Sequence, residues 1–202
     1  MSITLRALAI VLALVGTAWS QTSPPVGAVL KLLGAGGYVI VFRHGATHAD
    51  QADTDPLNLD DVAKQRQLND TGRADAKAVG EVFKAAGIPI GKCYSSRFQR
   101  AVETARLIGG KEPHTTLDIT EGGLVVSPNE NNRRTQALRA LVATPPDLGT
   151  NTLVITHKPN ILDAFGKDWF EDQRGRGVDL QARERKVRDG RPRADRPVGG
   201  GI

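Results

Sequence analysis

The sequence predicts an α/β domain, a three-layer sandwich around a mostly parallel central sheet. Two observations lead there. Short apolar runs at residues 38–42 and 151–156 are continuous rather than alternating, the pattern of strands covered on both faces, and strand-like runs alternate with helical patterns along the chain. With 202 residues, one domain is expected.

Each element has its own signal. Val26, Val29, Leu30 and Leu33 fall on one helical face, and the glycines from Gly34 to Gly37 end that helix. Residues 38–42 form the first strand, which delivers Arg43, His44 and Gly45 to its end. A polar, acidic loop spans residues 49–61. A helix is expected over 71–86, with Asn69 or Asp70 as cap and Gly87 as stop. Residues 92–95 read as a second strand and 97–108 as a helix that buries Ala101, Ala105 and Ile108. A further helix covers 129–143 and stops before Pro145 and Pro146. Residues 151–156 are the third clear strand, followed by a helix over 159–165 with Pro159 at its first position.

The two ends read differently from this middle. Arg6 precedes an apolar run over residues 7–15 and then Ala18, Trp19 and Ser20, which is the layout of a signal peptide cleaved before Gln21. The run falls short of the roughly 20 residues a membrane span needs, so no stable span is expected and the location is periplasmic or secreted. The domain is then placed at 21–170. Residues 171–202 are rich in Arg, Gly and Asp without apolar periodicity. They read as a disordered basic tail or as the product of a shifted frame, since codons for residues 173–194 can be chosen that give a strand, turn and strand one base later.

Charge excludes one class of partner. The formal net charge is +5, yet residues 21–166 hold 16 Lys or Arg against 15 Asp or Glu, while residues 167–202 hold 10 against 7. The basic excess lies outside the domain, and no aromatic and basic residues interleave within it, so no nucleic-acid partner is expected. Cys93 is the single cysteine and reads as a buried small side chain.

Three strand ends carry the chemistry. Arg43 and His44 follow the first strand, Arg100 lies just after the second, and His157 follows the third; ligands of open parallel sheets bind at such carboxyl ends. Two guanidinium forks and two imidazoles suit a tetrahedral anion, and a phosphoryl group is the natural occupant. Gly45 would let the backbone approach it closely, and helix N-termini near Arg97 and Lys158 would add partial positive charge. Thr47 is a candidate phosphate ligand or a loop-stabilising residue, and Arg97 a candidate substrate contact. Lys158 is expected to face solvent.

These residues sit in four segments that resemble the histidine phosphatase superfamily. Val41 through Thr47, with Arg43-His44-Gly45, is similar to its R-H-G-x-T signature. Leu68-Asn69-Asp70-Thr71-Gly72 resembles its L-T-x-x-G segment, Ser95 through Ala105 its S-x-x-x-R-A-x-x-T-A segment, and Val154-Ile155-Thr156-His157 its second histidine strand. The resemblance spans about residues 38–165 and departs from the family where Thr156-His157-Lys158-Pro159 replaces the commoner G-H-G-G. It implies a phosphoglycerate mutase-like fold and a metal-independent phosphatase in which His44 forms a phosphohistidine. Arg43, Arg100 and His157 would neutralise the phosphoryl oxygens. It also implies a carboxylate proton donor from between the second and third motifs, Glu121 first and Asp118 second. The implied substrate is a small phosphomonoester or a phosphorylated envelope component, with no cofactor. The rival readings are a non-catalytic anion-binding protein of this fold, a phosphoglycerate mutase, and a metal site of His44 and His48 with Asp50, Asp53 or Asp55, whose spacing fits neither a zinc nor a calcium motif.

Overall fold

In the computed structural model, the described residues are 25–122 and 126–167. The leader, the tail, and Gly123 and Leu124 beside the candidate donor therefore lie outside them. The elements run α1 (Val26–Gly34), β1 (Val39–Arg43), a 3-10 turn (Val62–Lys64), α2 (Asp70–Ala85), β2 (Ile90–Ser96) and α3 (Gln99–Gly109). After these come β3 (His114–Thr116), a 3-10 turn (Leu117–Ile119), α4 (Pro128–Ala143), β4 (Asn151–Thr156) and α5 (Lys158–Phe165).

The four strands pair in the order β1-β4-β2-β3, every pair parallel. Alternate strand residues feed two separate cores, which is why the strands read as continuous apolar runs. Ile40, Phe42, Cys93, Leu153 and Ile155 pack with α1, α2 and α3, whereas Val41 and Val154 pack with Leu138 of α4 and Ile161 of α5. Helices thus cover both faces and the sandwich has three layers, as the sequence predicts. Buried Cys93 belongs to the first core, and burial pushes its thiol up to about 11.

Some boundaries move. Asn69 is the cap of α2, its side chain accepting the Gly72 N–H at 2.8 Å, and Gly87 closes the helix with φ of +64°. β1 ends one residue later than the apolar run because Arg43 still pairs with Thr156. The edge strand β3 has no apolar signal: its residues His114 and Thr115 are exposed, and only pairing with β2 makes it a strand.

The loop after β1 crosses the start of α2 at very short range. A Cβ on Gly72 would stand 2.1 Å from the Ala46 carbonyl oxygen, and one on Gly45 would stand 2.8 Å from the Gly72 carbonyl oxygen. Both glycines serve this crossing. Gly72→Ala should therefore force backbone apart and destabilise the fold by about 1–3 kcal/mol, the usual cost of overpacking, read as a lowered denaturant midpoint.

Candidate active site

β4 lies between β1 and β2, so the residues that follow these three strands meet at one edge of the sheet. The His44 N–H donates to the Thr156 carbonyl at 3.0 Å, which carries the β1–β4 ladder one step further and sets the two histidines side by side. Their rings stand 5.1 Å apart, edge to face. Both side chains are buried.

The hydrogen bonds assign each imidazole its working nitrogen. His44 Nδ1 is 2.8 Å from the Gly45 carbonyl oxygen, which can only accept, so Nδ1 carries the proton and Nε2 keeps its lone pair. Burial, outweighing the Gly45 bond and reinforced by Arg100, Arg43 and Arg66, holds the ring down to about 3. The unprotonated ring is the form that can attack.

His157 Nε2 lies 2.7 Å from Ser96 Oγ, which accepts the Phe98 N–H and whose own proton has no other acceptor among the described residues, so that proton goes to Nε2. The remaining proton then sits on Nδ1, which is buried without a hydrogen-bond partner among the described residues and lies 3.5 Å from a Glu121 carboxylate oxygen. Burial first, then the neighbouring cationic groups, keep His157 neutral far below the usual imidazole range. An unpaired buried donor among cationic neighbours is costly unless an acceptor arrives.

Arg100, in the first turn of α3, is completely buried. Its guanidinium lies over the Phe98 ring, 4.0 Å from the centroid, and Phe98 in turn packs edge-on against His157. Nη1 bonds Asp53 at 2.9 Å and Nη2 bonds Glu121 at 2.5 Å, while Nε has no partner among the described residues. Two carboxylates on one buried guanidinium leave a local excess of one negative charge. Arg43 stands at the exposed rim of the same group. Burial of its stem and then repulsion from Arg66 lower its basicity, with Glu121 acting in the opposite sense.

Glu121 is held by its neighbours on a pinned segment. The Thr120 carbonyl accepts from Arg134 at 2.9 Å, Thr120 Oγ1 accepts from the Arg97 N–H and donates to the Thr116 carbonyl, and Thr156 Oγ1 donates to the Ile119 carbonyl. Beside Glu121 opens a cavity of about 200 Å³, lined also by Gly122, Asn131, Pro159, Asn160 and Asp163. A larger one of about 500 Å³ between α4 and α5 shares Asn131 and Asp163 with it, and neither is lined by an imidazole.

The structure thus brings Arg43, His44, Arg100, His157 and Glu121 together and sets the other candidates apart. Arg97 reaches away to Asp60, at 2.6 Å, because the turn into α3 points only Arg100 inward. Asp118 is on the surface, bonded to Arg133 at 2.7 Å. The Gly45 N–H is taken by Thr104 Oγ1 at 3.0 Å, and Thr104 itself donates to the Arg100 carbonyl, so Gly45 ties β1 to α3 rather than offering a free donor. Thr47 makes a backbone bridge to Leu68 and accepts from Asn69. At the start of α3 the Gln99 N–H is taken by Gln65. Lys158 is exposed. Asp53 pairs with Arg100 rather than with His44 and His48, and no group of three potential metal ligands forms among the described residues. Sequence reasoning missed Asp53 as an arginine partner, together with Ser96, Phe98 and Arg66. Ser96 and Phe98 flank the strand end that bears Arg100 and could have been found there; Asp53 and Arg66 lie in a loop without periodicity.

Fold and site together define an α/β protein with an imidazole and guanidinium cluster at its strand ends. Residues 39–123 match the family described as the histidine phosphatase superfamily, branch 1. No curated protein matches the chain. Among solved structures it is similar to the protein histidine phosphatase SixA complexed with tungstate, at 22% identity over 63% of this chain and 73% of that one, with a TM-score of 0.43. It is also similar to an Entamoeba histolytica phosphoserine phosphatase mutant in complex with phosphoserine (19% identity, 63% and 77% covered, TM-score 0.43). A mycobacterial glucosyl-3-phosphoglycerate phosphatase complexed with VO3 is a third (17% identity, 63% and 79% covered, TM-score 0.45).

Proposed function

We propose that this protein is a metal-independent phosphomonoester hydrolase that works through a phosphohistidine on His44. The observation that carries this reading is the tautomer of His44: a neutral ring, its Nδ1 proton fixed on the Gly45 carbonyl, presents a free Nε2 beside the donors of His157 and Arg100. Nε2 attacks phosphorus, the bond to the ester oxygen breaks, and that oxygen takes a proton from Glu121. Water then attacks the phosphohistidine and gives its proton to the Glu121 carboxylate. The N–P bond breaks, and inorganic phosphate leaves. The arriving dianion replaces Glu121 on Arg100 Nη2, and the displaced carboxylate, beside the cavity that receives the leaving group, takes up the proton it later donates. His157 Nδ1 and Arg43 bind the remaining oxygens.

The substrate in this reading is a small phosphomonoester or a phosphorylated envelope component, and the protein is exported, as the leader pattern at residues 1–20 suggests. Among the described residues no helix is long and apolar enough to cross a membrane. The test is phosphoryl labelling of the purified protein with a panel of phosphomonoesters. An acid-labile, base-stable label is expected, and a protein that turns over substrate without one would exclude the phosphohistidine.

Glu121→Gln separates the donor from the nucleophile. It should slow hydrolysis of alkyl phosphates about 10²- to 10⁴-fold, the range of general acid catalysis, and slow p-nitrophenyl phosphate far less, because that leaving group departs without a proton. Equal losses on both would reassign Glu121 to a binding role.

A further inference from the structure

Arg43, His44, Arg100 and His157 alone leave the pocket short of positive charge for its ligand. A phosphomonoester near neutral pH carries close to two negative charges. Yet both histidines are neutral and Arg100 is shared between Asp53 and Glu121. Of the two arginines at the strand ends, Arg43 alone has no carboxylate within ion-pair distance among the described residues.

The loop between β1 and α2 supplies another. Its last stretch is fixed at three successive points: buried Gln65 accepts from the Gln99 N–H at 2.7 Å and donates to the Leu59 carbonyl at 2.8 Å. The Arg66 N–H bonds Asp53 Oδ1 at 2.9 Å, and Leu68, fully buried, bridges to Thr47. The Asp53 oxygen that receives the Arg66 N–H also receives Arg100 Nη1, so the Arg66 backbone stands one carboxylate oxygen away from the buried guanidinium. The Arg66 side chain is partly buried and makes no ion pair or hydrogen bond among the described residues. Its charge bears on Arg43, His44 and His157 alike, each of which it makes harder to protonate.

We propose that Arg66 is a further phosphoryl-binding residue, a third guanidinium brought to the pocket by the loop over residues 49–68 and positioned there through Asp53. The inference rests on the phosphatase reading of His44 and names which groups hold the dianion before it reacts. Arg43 and Arg66 supply the two charges that Arg100 cannot give while it holds its carboxylates. Asp53 is the positioning residue, since one oxygen fixes both arginines.

The test is calorimetric binding of inorganic phosphate to the wild-type protein and to the Arg66→Ala, Arg66→Gln and Arg66→Lys proteins, with the thermal midpoint of each recorded. Since no other group among the described residues bonds the Arg66 side chain, the midpoints should agree. The Kd for phosphate should rise roughly tenfold to a hundredfold in the Ala and Gln proteins, as for loss of a charged hydrogen bond, with partial recovery in the Lys protein. Phosphoryl labelling of His44 should persist at saturating substrate. A wild-type protein that binds phosphate no more tightly than Arg66→Ala and Arg66→Gln would overturn the role of Arg66 and leave His44 untouched. A wild-type protein that neither binds phosphate nor becomes labelled would overturn the phosphatase reading, and the role of Arg66 with it.

Discussion

His44→Ala should abolish turnover of p-nitrophenyl phosphate and the acid-labile label together, while phosphate still binds. The imidazole has one role the other groups cannot assume. His157 is close by, but its Nε2 accepts from Ser96 and its Nδ1 carries the proton, so it offers no lone pair to phosphorus. Arg43 and Arg100 remain cationic and cannot attack. Binding survives because the charges that attract the dianion are on arginines, and a cavity in place of the ring still admits water. The pH dependence follows from the same ring. With His44 held to about 3 by burial, its Nε2 stays free throughout the range from roughly pH 4 upward, so an acid limb in kcat/KM reports another group. Stability moves in the same direction. A histidine whose folded value is depressed is protonated first in the unfolded chain, so folding weakens as pH falls through about 6.5 and levels off below about 3. The His44→Ala protein should lose part of that acid sensitivity, as measured by denaturant midpoints between pH 7 and pH 4. Turnover retained by His44→Ala would remove the residue from the nucleophile's place.

Where the chain is apolar on both faces, its fold was legible. β1 and β4 are continuous runs because Ile40 and Val41, or Leu153 and Val154, enter opposite cores, and alternation with helices makes such a run a strand of a covered parallel sheet. Once those strands are parallel, residues just beyond their ends must share an edge, which is how His44, Arg100 and His157 could be grouped before any coordinates. β3 escaped because its three residues carry no burial signal and it is a strand only by contact with β2. The partners of Arg100 escaped for a related reason. Asp53 lies 47 residues before Arg100, in a polar loop whose conformation is set by side-chain bonds from Gln65, Gln67 and Asp53 rather than by periodicity. Arg97 and Arg100 differ by three residues, close enough that spacing alone put both near the substrate. The turn at Phe98 decides between them, burying Arg100 under the aromatic ring and sending Arg97 to Asp60.

Arg100 is the residue whose loss should damage both stability and chemistry, and the two effects can be separated. In Arg100→Ala the Asp53 and Glu121 carboxylates, each about four-fifths buried, lose the guanidinium that offsets their desolvation. Breaking a buried ion pair from one side costs about 3–5 kcal/mol, because an uncompensated charge stays behind. The single mutant should melt well below the wild type, and its kcat on p-nitrophenyl phosphate should fall about 10²- to 10³-fold, the usual effect of removing one donor to a transition-state oxyanion. Adding Asp53→Asn removes one of the stranded charges, so the double mutant should regain part of the lost stability. Its activity should not return, since the missing donor is still missing. That opposite response is the informative result. Stability and activity recovering in step would mean that Arg100 serves only to hold the loop and Glu121 in place, and that the phosphoryl group is bound by Arg43, His157 and Arg66 without it.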